Sequence, residues 1–193
     1  MQRGYHVHAV EGSARAAGAL ELRLAEVGGK ALVLRQDPCE LNAPFRYAAA
    51  LWPAGFERIA PRPRAIAALT RIRAHLVDPG ILLLELQSPD ERLQKLAAPL
   101  VEVDSVELDD GTRIHMRREI SVSMDTRAIS MSCRYVHRRG ATRLAEETET
   151  MRSTWYAREE IEPLVSAAGF RGATIQDAAS ASSGRCYVVQ AHV

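Results

Sequence analysis

The sequence predicts an α/β fold, in which a mostly parallel sheet covered by helices is interrupted late in the chain by an antiparallel one. Three observations predict it. Short apolar, β-prone runs alternate with amphipathic helical stretches through the first half, the grammar of βα units. From Leu100 the apolar spacing changes to two, the period of a half-buried strand. Beyond residue 154 the helix-then-strand order returns.

Residues 6–10 form the first β-prone run. Residues 13–27 then place Ala17, Leu20, Leu24 and Val27 on one helical face, with Ser13 as cap and Gly28-Gly29 as stop. ALVLR at 31–35 reads as a second strand and YAAALW at 47–52 as a third. Arg62-Pro63 opens a helix whose Ile66, Leu69, Ile72 and Leu76 share a face. Asp78-Pro79-Gly80 closes it before ILLLEL at 81–86, a continuous apolar strand expected to be buried on both faces.

In the segment that follows, Ile114, Met116, Ile120, Val122 and Met124 alternate with mostly polar residues. Ile129, Met131, Cys133 and Tyr135 do the same in the next run. Turn signals at 109–111, 124–126 and 138–140 separate these runs, so residues 100–153 are expected to form an antiparallel meander. Met116, Ile120, Val122, Met131 and Cys133 should line its one buried face. A final helical stripe, Ile161, Leu164, Val165 and Ala168, ends at Gly169. Ala157 is a poor cap for it and Pro163 removes a donor, so a kink or late start is expected. Strands at 173–176 and 186–191 follow, with a surface loop at 178–184 between them. The division expected is 1–99 for a core, 100–153 for the inserted sheet and 154–193 for the helix and strand pair that complete the core.

Composition narrows the function classes. The chain has 193 residues, 47% of them hydrophobic and 25% charged, with a formal net charge of +1. That balance gives no basic excess for nucleic acid, and no run approaches the ~20 apolar residues of a membrane span. Cys39, Cys133 and Cys186 are far apart, with no CxxC pair, which fits a reducing cytoplasm better than a disulfide or zinc framework. His6 and His8 share a strand face but have no third ligand near in sequence, so no metal is expected. His75 reads as a cation at a helix C-terminus, and Tyr135 and His137 as the end of a hairpin.

Four stretches in order carry a family resemblance: RGYHVHAVEGS (3–13), RQDPCEL (35–41), RIRAHLVDPGILLLEL (71–86) and TWYAREEIEPLVSAAGF (154–170). Together they resemble the small-molecule branch of class I, Rossmann-like S-adenosylmethionine-dependent methyltransferases with an antiparallel sheet inserted after the fifth strand. The resemblance implies a Rossmann-like mostly parallel sheet lacking its first strand, and with it the glycine-rich loop that approaches the methionyl part of the cofactor. On that expectation the chain binds S-adenosylmethionine weakly or not at all. The family's second and fourth strands, here 6–10 and 47–52, would either pair directly or be bridged from another chain. Two departures, Arg46 where an acid is usual and Ile81 where a second glycine is usual, point toward a decayed enzyme.

The resemblance implies cofactor contacts at Glu11, Gly12, Gln36, Asp37 and Pro38. Glu11, at the carboxyl end of a strand, either accepts hydrogen bonds from ribose hydroxyls or is an exposed acid favoured by a helix N-terminus. Asp37 either accepts from the adenine amino group or only forms an Asp-Pro turn. Trp52 and Phe56 fall at the same sheet edge, where aromatics can attract a sulfonium or else simply pack, and Glu85 at that edge contacts either substrate or only solvent. The function implied is methyl transfer to a small molecule, inactive if the loop is missing. The inserted sheet would then serve as lid, substrate wall or homodimer surface. The alternatives are a non-catalytic remnant acting as a binding or dimerisation module and, less favoured, a nicotinamide-dependent enzyme.

Overall fold

The computed structural model describes residues 5–26, 31–59, 61–89, 91–178 and 184–193. In chain order the elements are β1 (His8–Val10), α1 (Ala14–Glu26), β2 (Leu32–Leu34), β3 (Tyr47–Trp52), α2 (Arg62–Ala74) and β4 (Leu76–Pro89). They continue with α3 (Glu91–Gln94), β5 (Leu100–Glu107), β6 (Arg113–Ser123), β7 (Ala128–Arg139), β8 (Thr142–Thr154), α4 (Arg158–Ala167), β9 (Ala173–Ala178) and β10 (Gly184–His192). Short 3-10 turns occupy Pro38–Glu40 and Phe56–Arg58. The expected stop at Gly28-Gly29, with Val27 before it, and most of the 178–184 loop lie outside the described residues.

Three sheets result. β1 and β2 pair in parallel; β3, β4, β10 and β9 form a sheet in that order; β5 to β8 form an antiparallel meander in chain order. In the second sheet β3 runs parallel to β4, while β10 is antiparallel to both β4 and β9. Direct pairing of the 6–10 and 47–52 strands, one of the two expected arrangements, does not occur: each takes a single neighbour among the described residues.

Local chemistry explains the helix bounds. Ser13 caps α1, its Oγ accepting the Ala16 N–H at 3.3 Å. α2 begins where Pro63 stands in the first turn, a position whose N–H would be unpaired in any case. It ends at Ala74, two residues sooner than the apolar stripe implied, because Leu76 already belongs to β4 and pairs with Tyr47. α4 starts at Arg158 without delay: the Glu160 carboxylate accepts the Ala157 N–H at 2.9 Å and replaces the cap that Ala157 lacks. Pro163 is accommodated inside the helix.

The core lies on one side of the second sheet. Leu82, Leu84 and Leu86 of β4, with Tyr187, Val189 and Ala191 of β10, pack against Ala65, Leu69 and Ile72 of α2 and against Ile161, Leu164 and Val165 of α4. Burying these side chains supplies the main driving force, roughly 1.5–3 kcal/mol for each large one. The expectation that ILLLEL is buried on both faces needs correction. Ile81, Leu83 and Glu85 are only half-buried, because both helices pack on the Leu84 side, and Leu51, which pairs with Leu83, is 71% exposed.

The meander matches the alternation from which it was expected. Ile120 pairs with Met131, Met116 with Tyr135 and Arg118 with Cys133, which sets Met116, Ile120, Val122, Met131 and Cys133 on one face. Only Cys133 is buried; the other four are half-buried, since the face is a single sheet layer with charged Arg118 and Glu149 among the apolar residues. No helix among the described residues is long and apolar enough to cross a membrane.

Candidate functional site

At the carboxyl ends of β1 and β2, two turns meet. The Glu11 N–H donates to the Leu34 carbonyl at 2.9 Å, carrying the parallel pairing one residue past β1. Gly12 then lies against the second turn: a Cβ placed on it would stand 3.5 Å from the Gln36 carbonyl oxygen and 3.8 Å from Asp37 Cα. Gln36 clasps Asn42 through both ends of its amide, at 2.8 and 3.4 Å, which fixes the loop between them. Glu11, Gly12, Gln36, Asp37 and Pro38 are thereby gathered at one strand edge.

The two carboxylates there are held differently. Glu11 Oε1 accepts the Ser13 N–H at 2.8 Å, and Oε2 has no partner among the described residues. Asp37 is more committed: Oδ1 accepts the Cys39 N–H at 2.8 Å and Oδ2 the Arg64 guanidinium at 2.7 Å. These contacts, the Cys39 N–H foremost, hold its carboxyl below the usual Asp range. A carboxylate has about four acceptor sites, so each residue retains capacity for a further donor.

Trp52, at the end of β3, is level with Leu84 and so one residue short of Glu85. Its ring meets that of Phe56 edge-on, centroids 5.1 Å apart, and Phe56 meets Tyr156 at 5.9 Å. Phe56 is fully buried, whereas Trp52 and Glu85 are half-buried and reach the surface.

The fold adds groups at this edge that sequence reasoning missed. Glu57 is buried and accepts the main-chain N–H of Gln87; burial pushes its carboxyl above the ordinary range, and Glu85 nearby adds to the rise. Tyr156 is 3% exposed, yet its hydroxyl has no partner among the described residues. Burial raises that phenol as well, and the Arg62 guanidinium lies 5.9 Å from its ring centroid. Arg62 and Arg127 both reach Glu160. An acid after Gly55-Phe56 carries no sequence signal of burial. Tyr156 was visible only as part of the TWY stretch.

α2 joins the two halves of this edge, since Arg64 in its first turn holds Asp37 and Arg62 faces Tyr156. The histidines are engaged elsewhere. His8 Nδ1 contacts the Tyr47 hydroxyl at 2.9 Å and His6 is exposed. His75 stands at the C-terminus of α2, as expected, with Nε2 3.1 Å from the Ala43 main-chain nitrogen and Nδ1 2.8 Å from the Arg71 carbonyl oxygen.

No protein-family model matches the chain, and no curated protein is similar to it in sequence. Solved structures are similar in fold. An S-adenosylmethionine-dependent methyltransferase from Clostridium acetobutylicum superposes with a TM-score of 0.77 at 14% identity, over 98% of this chain and 75% of its own. The chain has the class I methyltransferase fold. The same fold is found in an amino pentose methyltransferase from Micromonospora echinaspora, solved with S-adenosylmethionine bound (TM-score 0.72, 19% identity, 97% of this chain and 74% of that one). It is found again in a sugar N-methyltransferase from Streptoalloteichus (0.73, 16%, 94% and 69%). In methyltransferase-fold terms the Glu11 and Asp37 turns occupy the carboxyl ends of adjacent parallel strands, where open α/β sheets bind ligands.

Proposed function

We propose that the protein is an S-adenosylmethionine-dependent methyltransferase acting on a small molecule. The observation that carries this reading is the packing of the Glu11-Gly12 turn on the Gln36-Asp37-Pro38 turn, at the carboxyl edge of parallel strands in a methyltransferase fold. The donor set fits the nucleoside half of the cofactor. Glu11 has a free carboxylate oxygen for the ribose hydroxyls. Asp37 keeps spare lone pairs toward an adenine amino group, with the Gln36 and Pro38 backbone alongside.

The cofactor supplies a methyl group already activated on a sulfonium, so the protein's task is alignment more than proton transfer. Trp52 offers an aromatic wall that attracts a cation, and Glu85 a carboxylate that can orient a hydroxyl or amine of the acceptor. The sugar substrates named for two of the solved relatives favour a polar acceptor of that kind. We assign residues 1–99 to a cofactor-side core, 100–153 to an inserted sheet serving as substrate wall or homodimer surface, and 154–193 to the completion of the core. Three cysteines without disulfides suit action in the cytoplasm.

Nuclear magnetic resonance titration with S-adenosylmethionine tests the reading even if binding is weak. Saturable shifts at the Gly12, Asp37 and Cys39 amides are expected. Glu11→Ala should weaken binding about tenfold, the equivalent of ~1.4 kcal/mol. Shifts absent from both turns at millimolar cofactor would reject the assignment.

A further inference from the structure

β4 runs on past the end of β3. Trp52, the last residue of β3, is level with Leu84, and beyond that pair the turn after β3 meets β4 in place of a strand. Two carboxylates are held together there by one residue. The main-chain N–H of Gln87 donates to Glu57 Oε1, and its side-chain amide to Glu85 Oε1 at 3.4 Å. Glu57 is buried, while half-buried Glu85 opens the pair to the surface. The groups that face Glu57 are Glu85 of β4, Cys186 of β10, Tyr156 ahead of α4 and Arg58 of its own turn. Neither acid forms a salt bridge among the described residues, and Arg62, beside Tyr156, is committed to Glu160. Two acids against one arginine leave the spot negative.

Tyr156 adds an independent sign of a ligand. It is 3% exposed and its hydroxyl has no partner among the described residues, although Glu57 is near enough for its charge to act on the phenol. A buried hydroxyl left unpaired calls for a polar atom from elsewhere. Phe56, which directly precedes Glu57, links this phenol to Trp52, its ring centroid lying 5.9 Å from one and 5.1 Å from the other.

We propose that Glu57, Glu85 and Tyr156 form the acceptor subsite, that the acceptor is a primary amine bound as its ammonium, and that Glu57 takes the proton whose departure frees the nitrogen lone pair. This rests on the methyltransferase reading and names the substrate class of its site. A neutral hydroxyl would leave two like charges facing one another, whereas an ammonium relieves them and brings three donors to three acceptors: the two carboxylates and the phenol oxygen. Once Glu57 holds one proton, the two remaining N–H bonds to Glu85 and Tyr156 keep the lone pair aimed. Nitrogen then bonds to the methyl carbon as the carbon–sulfur bond breaks, its electron pair staying on sulfur, and Glu57 returns its proton to solvent. Burial already favours the protonated carboxyl at Glu57, as a proton acceptor requires.

The test uses the full chain without cofactor, with cyclohexylamine as probe and cyclohexanol as its uncharged counterpart, both followed by calorimetry. The amine is expected to bind more tightly by about tenfold or more. Its affinity should fall as pH drops through the folded pKa of Glu57, read from the carbon-13 signal of that carboxyl, because protonation removes the charge that holds the ammonium. Glu57→Gln keeps an acceptor for Gln87 and should melt no lower than the parent, yet lose the preference for the amine and the dependence at that pH. Tyr156→Phe removes a hydroxyl without a protein partner, so amine binding should weaken severalfold with no loss in Tm. Equal affinities for amine and alcohol would overturn the proposal, as would a preference and pH dependence that survive Glu57→Gln. The cofactor titration above fails separately: lost shifts there remove the methyl donor and leave the amine subsite, whereas lost amine preference overturns the subsite and leaves the cofactor turns.

Discussion

The Glu57 carboxylate accepts the main-chain N–H of Gln87, tying the turn after β3 to the carboxyl half of β4. This bond favours the ionised acid, but burial opposes it more strongly and raises the carboxyl above its ordinary range.

Stability should respond to pH in the sense set by that rise. Between the unfolded and folded pKa the folded state holds the extra proton, so the contribution of Glu57 is fully present below the unfolded value and is lost as pH rises through the folded one. Glu57→Gln keeps an acceptor for Gln87 without the charge. It is expected to be more stable than the parent at pH 7 and to converge with it near pH 4 in urea titrations. A gap that stays constant with pH would show that Glu57 does not titrate differently in the folded state.

Glu160 concentrates three contacts. It accepts the Ala157 N–H, pairs with Arg127 in the turn between β6 and β7, and reaches Arg62 of α2. The Trp155 N–H also bonds the Arg127 carbonyl at 3.1 Å, so this corner fastens the meander to the core. Glu160→Ala should cost about 0.5–2 kcal/mol through the lost cap alone. A double-mutant cycle with Arg127→Ala should give a coupling of ~0.5–1 kcal/mol, modest because the pair is partly exposed. A coupling of zero would leave the corner to the backbone bond.

How much of this was legible in the sequence depended on periodicity. The strand Tyr47–Trp52, the start of α2 at Arg62 and the four strands of the meander follow from local apolar spacing, and they were readable. Where α2 gives way to β4 was not, because Leu76 suits the helix face and the strand equally and only pairing with Tyr47 decides. The open side of β4 escaped too, since an apolar run cannot report which of its faces a helix covers. At the site, Glu11 and Asp37 stand on strand ends that sequence order reveals. Glu57 and the Arg62–Glu160–Arg127 corner depend on contacts between residues distant in sequence.

Asp37 offers a separate check on its turn. Its Oδ1 caps the 3-10 turn at Cys39 and its Oδ2 holds Arg64. Because its folded pKa is lowered, its contribution is present above the unfolded value and fades as pH falls through the folded one. Asp37→Ala should therefore lower stability by about 0.5–2 kcal/mol at neutral pH, with the difference shrinking in acid. Arg64→Ala should cost less, since that contact is exposed. If Arg64→Ala proved the more damaging, the ion pair and not the cap would hold the turn.

Gly80 and Gly18 should respond oppositely to the same substitution. Between Tyr47 and Ala49, β3 advances two residues while β4 advances five, from Leu76 to Ile81, so the segment around Asp78 and Pro79 must loop out and return in little space. Gly80 closes that return: a Cβ on it would collide with the Val77 carbonyl oxygen and stand 3.2 Å from Leu76 Cβ. The obstacle is main chain, anchored by the pairing of Leu76 with Tyr47, and Gly80 itself accepts the Val193 N–H at 3.1 Å, so neither side yields cheaply. Gly80→Ala should cost about 1–3 kcal/mol, the usual range for overpacking, and lower Tm by roughly 3–10 °C. Gly18 lies inside α1 with nothing within 4 Å of an added Cβ. There alanine only removes backbone freedom from the unfolded chain, and Gly18→Ala should gain ~0.5–1 kcal/mol. Thermal melts of the two variants beside the parent read both signs; equal losses at both sites would mean that the constraint at Gly80 is not the close approach to Val77.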